Sequence, residues 1–242
     1  MLTQTDSSGS VQEIGRRNIV TILLLGTAGQ VAWAVENSWF NTFVFDRITT
    51  DPRPIAWMVA ISAIMATVTS LLMGTLSDRT ASRWGRRKPY IVGGYILWGI
   101  ITALYPLVEW IETVGVAIVM VIVVDAVMTF FGSTANDAAF NAWLTDIGHS
   151  SNRNRIDTLN KITVFLAQII ALGAAGIIID QYGYFIFFYL LGGLVTLTGG
   201  IAAALLKDSP TPPPEQLKPL WTEFRELWDP RGLRQHRTLF LL

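Results

Sequence analysis

The sequence predicts an all-α membrane protein with six transmembrane helices, and three observations support that fold class. Hydrophobic residues make up 51% of the 242-residue chain and charged residues only 15%, whereas soluble domains carry about 25% charged residues. Apolar stretches of about 20 residues, the length that crosses a bilayer, recur along the chain. The connections alternate between basic segments and short or acidic ones, as the positive-inside rule describes.

The six predicted spans follow one another with short connections. They lie at 18–45, 55–76, 90–108, 113–131, 158–179 and 184–206, and the fourth continues as a polar stretch to Trp143. Pro89 precedes the third span, at a position where the missing N–H of proline costs a helix nothing. The fifth and sixth spans are rich in Gly and Ala, which predicts close packing between helices.

The distribution of Lys and Arg predicts the orientation of the chain. A cytoplasmic N-terminus leaves Arg47 and Arg53 as the only two of the 18 basic residues on the far side of the membrane, which satisfies the positive-inside rule. We therefore expect an integral protein of the cell (plasma) membrane with its N-terminus in the cytoplasm and the lipid bilayer as its surroundings.

Composition also excludes several classes of function. The formal net charge is zero, which argues against a nucleic-acid partner. The chain contains no Cys, and it shows no metal-ligand spacing, nucleotide-binding loop or nucleophile–base pattern. The sequence therefore predicts no metal site, no cofactor and no enzymatic activity.

The predicted spans divide the chain into four regions. We expect a cytoplasmic N-terminal tail at 1–17, a six-helix transmembrane bundle at 18–206 and a cytoplasmic central loop at 207–237. Residues 238–242 are apolar and too few to cross a bilayer, so we interpret them as the start of a truncated seventh helix. On this interpretation the chain is the first half of a longer protein, and the alternative is a natural six-span protein.

The segment between the second and third spans carries an ordered, charged motif. Its two glycines, its acid and four of its bases are Gly74, Asp78, Arg79, Gly85, Arg86, Arg87 and Lys88. A positive-inside anchor would explain the bases but not their order. The first glycine permits close approach of helices, the carboxylate lies within reach of helix dipoles and guanidinium groups, and the second glycine breaks the chain before the basic run.

This motif resembles the signature of the major facilitator superfamily. Five residues, 80–84, separate its two parts, and this longer form is similar to the glycoside-pentoside-hexuronide group and its sucrose-transporter-like relatives. The resemblance implies half of a twelve-helix fold, built of two inverted three-helix repeats, with substrate bound near the midplane. It also implies that the motif is a conformational latch, which contacts a C-terminal six-helix half that this chain lacks.

The first span carries a polar and aromatic stripe. Gln30, Trp33, Asn37 and Asn41 share one face by steps of three and four, with Glu36 beside them. Carboxylate and amide groups suit sugar hydroxyls, and indole rings suit the C–H face of a sugar. The alternative is that the amides join helices and that Glu36 is solvated near the outer end.

The fourth span carries two acids that lie too far apart to form one carboxylate pair. Asp125 and Thr129 share a face, and Asp137 pairs with Asn141 one turn further along. The resemblance implies an acid late in this helix that contacts sugar hydroxyls and a base early in the fifth, places that Asp137 and Lys161 match approximately. Asp137 could instead balance bases at the rim, and Lys161 could extend to the interface.

The second span lacks the acids of sodium-coupled relatives. The resemblance implies two helix 2 acids one turn apart, but the corresponding residues are Ala66 and Ser70. Because Na⁺ prefers anionic oxygen ligands, this favours H⁺ as the coupling ion, exchanged at Glu36, Asp125 or Asp137. We therefore expect a proton-coupled symporter for a small sugar-like substrate. The alternatives are a facilitator or exporter of another small organic solute, and a non-transporting receptor or scaffold that retains the fold.

Overall fold

A computed structural model describes residues 15–80, 82–148 and 152–208, which fold into five long helices. The helices are α1 (Arg16–Arg47), α2 (Pro52–Arg79), α3 (Lys88–Trp110), α4 (Val114–Ile147) and α5 (Arg153–Leu205). Each is long and apolar enough to cross a membrane, and no strand occurs among the described residues. The all-helical membrane architecture expected from the sequence is therefore confirmed. Most of the expected tail and central loop, and all of 238–242, lie outside the described residues.

Helix α5 covers the segment in which the sequence predicts two spans. Its 53 residues would extend about 80 Å as one straight helix, far more than the roughly 30 Å of a hydrocarbon core. Gly183 interrupts it with a non-helical backbone, φ 82° and ψ 171°, in a region that glycine adopts without steric cost. The interruption separates residues 153–182 from 184–205, each of which is long enough to cross. The pairing of the helices as inverted repeats stays a prediction.

Two helix starts follow directly from the local sequence. Helix α2 begins at Pro52, and the preceding Asp51 side chain caps it by accepting a hydrogen bond of 3.0 Å from the Arg53 backbone N–H. Helix α3 follows Gly85, whose φ of 98° lies in the left-handed region that other residues rarely adopt. The Gly85 backbone N–H donates a 3.0 Å hydrogen bond to the Ser82 carbonyl, so the charged motif contains a tight turn just before α3.

Helices α1 and α4 contain π-helical stretches at polar sequence. These lie at Glu36–Phe40 and Val44–Ile48 in the C-terminal part of α1, and at Ser133–Phe140 in α4. A π-helical turn bonds each N–H one residue further back than an α-helix does, and such turns are common at functional sites. Two acids singled out by the sequence, Glu36 and Asp137, lie within these stretches.

Close helix contacts hold α5 against α1 and α3. The Trp39 indole N–H of α1 donates a 3.0 Å hydrogen bond to the Ala171 carbonyl of α5. Gly99 of α3 lies directly against Gly192 of α5, where a methyl group on either residue would meet the backbone of the other helix. At Gly192 the helices thus pack as closely as a Gly-rich composition predicts.

An aromatic cluster fills the core at one end of the bundle. Phe40 and Phe43 of α1 pack with Tyr105 of α3 and Phe188 of α5, with ring centroids between 4.4 and 5.7 Å apart. Aromatic rings at these separations stabilise a core beyond the area that they bury. The opposite end, where Arg17, Arg86 and Arg87 lie, is called the basic end below.

Candidate functional site

A cavity of about 380 Å³ lies between α1, α2 and α4. Its wall combines carboxyl, amide and hydroxyl groups with one indole ring and several small or apolar side chains. The lining residues are Gln30, Trp33, Glu36, Asn37, Asn41, Met58, Val59, Ser62, Ala63, Ala66, Asp125, Thr129 and Asp137. A cavity of this size and mixed chemistry suits a small organic ligand.

The cavity brings together most of the residues that the sequence singles out. Six of the proposed substrate and proton sites line it: Gln30, Trp33, Glu36, Asn37, Asp125 and Asp137. Asp125 and Asp137 lie about 18 Å apart along α4, so the cavity extends along this helix. The polar stripe of α1 and both predicted acids of α4 therefore face the same space.

Two of the proposed substrate residues lie elsewhere. Asn141 lines a separate cavity of about 280 Å³ together with Arg153 and Asp157, and its amide donates a 3.2 Å hydrogen bond to the Asp137 backbone carbonyl. Lys161 lines neither cavity and is exposed. The structure thus does not bring Lys161 to the acid with which the resemblance pairs it.

Four side chains from three helices form a continuous hydrogen-bonded chain at the cavity wall. Thr129 Oγ1 of α4 lies 3.1 Å from Glu36 Oε1 of α1 and 3.3 Å from Ser62 Oγ of α2. The Ser62 hydroxyl donates to Asp125 Oδ2 of α4. At most 9% of any of these residues is exposed, so two acids lie deep in the bundle and are joined by two hydroxyl groups.

A second network holds Asp137. The Asn136 amide donates a 3.1 Å hydrogen bond to Asp137 Oδ1. The Tyr95 hydroxyl of α3 is shared between Asn136 Oδ1 at 3.0 Å and the Leu25 carbonyl at 2.8 Å. Gly29 makes this arrangement possible, because a methyl group there would lie 2.5 Å from Asn136 Oδ1. The carboxyl group of Asp137 is therefore positioned by contacts that reach across α1, α3 and α4.

The cavity residues retain hydrogen-bonding capacity that the described part of the chain does not use. Three buried oxygen atoms of these residues have no hydrogen-bond partner among the described residues: Glu36 Oε2, Asn41 Oδ1 and Asp125 Oδ1. Buried polar groups are nearly always paired. All three atoms are acceptors, which favours a ligand rich in donors, such as a polyhydroxylated or cationic molecule.

The described lining of the cavity carries acidic groups and no basic ones. Among the described residues that line the cavity there is no Lys and no Arg. The described part of the chain also contains no group of three His, Cys, Asp or Glu side chains placed to hold a metal ion. The three carboxyl groups are consequently the main charged features of the wall.

Two cavity residues, Ser62 and Thr129, are absent from the sites proposed from sequence. Thr129 lies one helical turn after Asp125 on the same face, so its position was visible in the spacing. Ser62 gave no such signal, because the second predicted span, 55–76, contains no acid and its serines resemble those that pack helices. Only the arrangement of α2 beside α4 reveals that the Ser62 hydroxyl bonds the Asp125 carboxyl.

The charged motif forms an ion-pair network at the basic end. The Arg87 guanidinium, only 5% exposed, contacts Asp78 and lies 3.2 Å from Asp146 Oδ2, and it donates a 2.6 Å hydrogen bond to Ser77 Oγ. Arg86 pairs with the other oxygen of Asp146 at 2.7 Å, and this hydrogen bond raises the pKa of the Arg86 guanidinium. Residues of the charged motif therefore bond one another and the end of α4.

Asp208, just after α5, completes this network. Its Oδ2 accepts hydrogen bonds from the backbone N–H groups of Arg87 at 2.6 Å and Lys88 at 3.2 Å. Free N–H groups at a helix start favour such a carboxylate. Gly85 is required here, because a methyl group on it would overlap the Asp208 side chain. We call Asp78, Arg86, Arg87, Asp146 and Asp208 the basic-end cluster.

Comparison with known families gives one finding. The family described as Major Facilitator Superfamily matches the chain over residues 22–242, a range that includes both the cavity and the basic-end cluster. No curated protein matches the chain closely enough to serve as a named relative. The match therefore covers most of the chain at the level of the superfamily and leaves the narrower group open.

Proposed function

The chain belongs to the major facilitator superfamily, whose members are membrane transporters, and on this premise we propose that it carries a sugar or glycoside by proton-coupled symport. Alternating access of the central cavity is the proposed mechanism. We further propose an N-terminus in the cytoplasm, a place in the plasma membrane, and a second six-helix half that closes the cavity. The single observation that carries the proposal is the composition of the cavity wall.

The groups of this wall match the chemistry of a sugar. Glu36, Asp125 and Asp137 offer carboxyl oxygens to hydroxyl donors, while Asn37 and Gln30 offer amides that both donate and accept. A sugar ring also presents apolar C–H faces, which pack against an indole. Trp33 supplies that ring, held against Trp98 with centroids 5.1 Å apart.

Proton coupling follows from the same residues. A carboxyl group that gains and loses a proton during the cycle changes the charge of the cavity by one unit, and charged groups inside a membrane are costly. If substrate and proton move together, the free-energy cost of the ionised carboxylate is coupled to the change between the outward-open and inward-open states of the cavity. Glu36, Asp125 and Asp137 are the groups proposed to exchange it.

Uptake by proteoliposomes tests the proposal. Full-length protein is reconstituted, a pH gradient is imposed, and a panel of radiolabelled mono- and disaccharides is screened for accumulation. We expect uptake of at least one sugar that collapses with a protonophore and is lost in Glu36→Gln and Asp137→Asn. Lys161→Ala serves as the matched charge variant outside the cavity and should retain uptake. Uptake that both cavity variants retain would refute the site, and uptake driven by Na⁺ alone would refute the coupling.

A second candidate substrate class is favoured by the charge of the cavity. Three acids and, among the described lining residues, no base would also suit an organic cation, which a carboxylate binds directly. Under this candidate the protein is a facilitator or exporter of amines. Competition separates the two classes, since a quaternary ammonium ion should block sugar uptake weakly if sugars are the substrate and should itself be carried if they are not.

A further inference from the structure

We propose that Glu36 and Asp125 share a single exchangeable proton through the hydroxyl groups of Thr129 and Ser62. These four side chains are called the hydroxyl relay below. The inference rests on the proposed proton-coupled transport, which it deepens by assigning the coupling proton to one connected site. It also gives Thr129 and Ser62 a role in positioning that proton.

The relay joins three helices through three consecutive oxygen–oxygen contacts. Glu36 Oε1 lies 3.1 Å from Thr129 Oγ1, which lies 3.3 Å from Ser62 Oγ, which in turn bonds Asp125 Oδ2. All four residues line the central cavity. The Glu36 and Asp125 carboxyl groups are therefore connected although they belong to different helices.

The number of hydrogens decides which state satisfies the relay. Each hydroxyl carries one hydrogen, and three contacts need three. When both carboxyl groups are ionised, Thr129 donates to Glu36 and Ser62 donates to Asp125, so that the contact between the two hydroxyl oxygens holds no hydrogen. One added proton supplies the third hydrogen bond, and a second added proton would exceed the number of contacts.

The added proton can move along the relay by a concerted transfer in which each hydroxyl oxygen gains one hydrogen as it gives one up. With the proton on Glu36, its O–H donates to Thr129, Thr129 donates to Ser62, and Ser62 donates to Asp125. Transfer of each hydrogen to its acceptor breaks one O–H bond and forms one at every step. The result is a protonated Asp125, an ionised Glu36 and the same three hydrogen bonds in the opposite direction.

The surroundings keep this proton within the relay. Asp137 is the third ionisable group at the cavity wall and carries the same charge. The hydroxyl of Tyr105 of α3 donates a 3.3 Å hydrogen bond to Met58 Sδ of α2. None of the described lining residues is a Lys or Arg that could neutralise a second carboxylate. Sharing one proton therefore removes half of the negative charge of the pair.

Proton counting tests the relay without any substrate. Full-length protein in nanodiscs is acidified from mildly alkaline pH to about pH 6, above the range in which exposed Asp and Glu titrate, and bound protons are counted with a pH indicator. In Glu36→Gln or Asp125→Asn the amide N–H takes the place of the proton, so each variant should bind one proton fewer than the wild type. The double variant should also bind only one fewer. Any other deficit in the double variant, whether none or two, overturns the shared proton.

A hydroxyl variant tests the path between the two acids. Thr129→Val removes two of the three contacts, those with Glu36 and with Ser62. In that background the proton deficits of the two amide substitutions should add, so that the double variant binds two protons fewer, whereas Thr129→Ser should restore the wild-type deficit of one. Thr134→Val is the matched control in the same helix, since its hydroxyl bonds the Phe130 carbonyl at 2.7 Å outside the relay. If the double amide variant still binds only one proton fewer in the Thr129→Val background, the proposed path is wrong. The proton count needs no transport, so failure of the uptake assay would not affect it. If uptake is intact but Glu36 and Asp125 bind protons independently, the relay is refuted and the proposed function is not.

Discussion

Adjacent glycines in α5 provide a matched test of the helix packing. A methyl group on Gly192 would meet the Gly99 carbonyl oxygen of α3, and it would lie 2.6 Å from the Ala103 nitrogen and 2.7 Å from Ala103 Cβ. A methyl group on Gly193 would meet no atom within 4 Å. The substitutions Gly192→Ala and Gly193→Ala therefore add the same atom to the same helix, once against a neighbouring backbone and once into open space.

The packing cost can be isolated from the helix propensity. Replacing a helical Gly by Ala stabilises a helix by about 1 kcal/mol, and this gain is common to both variants. Forcing an extra methyl group into a packed interior costs about 1–3 kcal/mol, and only Gly192→Ala bears it. The free energy of unfolding of the two variants should consequently differ by about 1–3 kcal/mol, with Gly193→Ala no less stable than the wild type.

Thermal denaturation in detergent measures this difference. Purified variants are heated, and the fraction that remains monodisperse is followed by size-exclusion chromatography. In a domain of this size 1 kcal/mol corresponds to about 2–4 °C in Tm, so Gly192→Ala should melt several degrees below Gly193→Ala. Equal melting temperatures would show that residues 184–205 do not pack against α3 in the described way.

Three further predictions concern single side chains. Arg87→Ala removes a buried guanidinium that binds the more exposed carboxylates of Asp78 and Asp146. It should destabilise the fold by about 1.5–3 kcal/mol, as expected for lost hydrogen bonds to charged groups, whereas exposed Arg83→Ala should change stability by less than about 0.5 kcal/mol in the same thermal assay. Trp39→Phe removes an interhelical hydrogen bond and should cost about 1 kcal/mol, while the same change at Trp57, 66% exposed, should cost little. Lys161→Ala should leave the KM of sugar uptake unchanged. An increase in KM would indicate that Lys161 does take part in substrate binding.

Length and composition were sufficient to predict the helices, because the bilayer imposes them. A backbone in hydrocarbon must satisfy its own hydrogen bonds, so each apolar stretch of bilayer length had to be helical. The grouping of Trp33 and Glu36 in one cavity wall also follows from helical spacing within α1. These features depend on local sequence, which is why a single chain reveals them.

The sequence could not predict features that depend on rotation between helices. Asp137 and Asn141 lie four residues apart, the spacing of one helical face, yet they line different cavities. Asp137 lies within the π-helical stretch Ser133–Phe140 and Asn141 directly follows it. The longer hydrogen-bonded turns of this stretch rotate the following residues away from the regular repeat. Ser62 was missed for a related reason, since its role depends on which helix lies beside α2.

Helix α4 contributes an acid to each of the two polar regions of the bundle, the hydroxyl relay and the basic-end cluster, and the two acids have different partners. Asp125 belongs to the hydroxyl relay, and Asp146 lies about 30 Å further along the same helix, where two guanidinium groups bind it. Pairs of full charges hold tightly and cannot readily give up a proton, because an arginine side chain stays protonated in proteins. A hydroxyl group can both donate and accept, so the hydrogen bonds of the relay can reverse their direction while their number stays the same. The ion pairs of Asp146 therefore hold the end of α4, and under the proposed mechanism the hydroxyl contacts of Asp125 remain available for proton exchange.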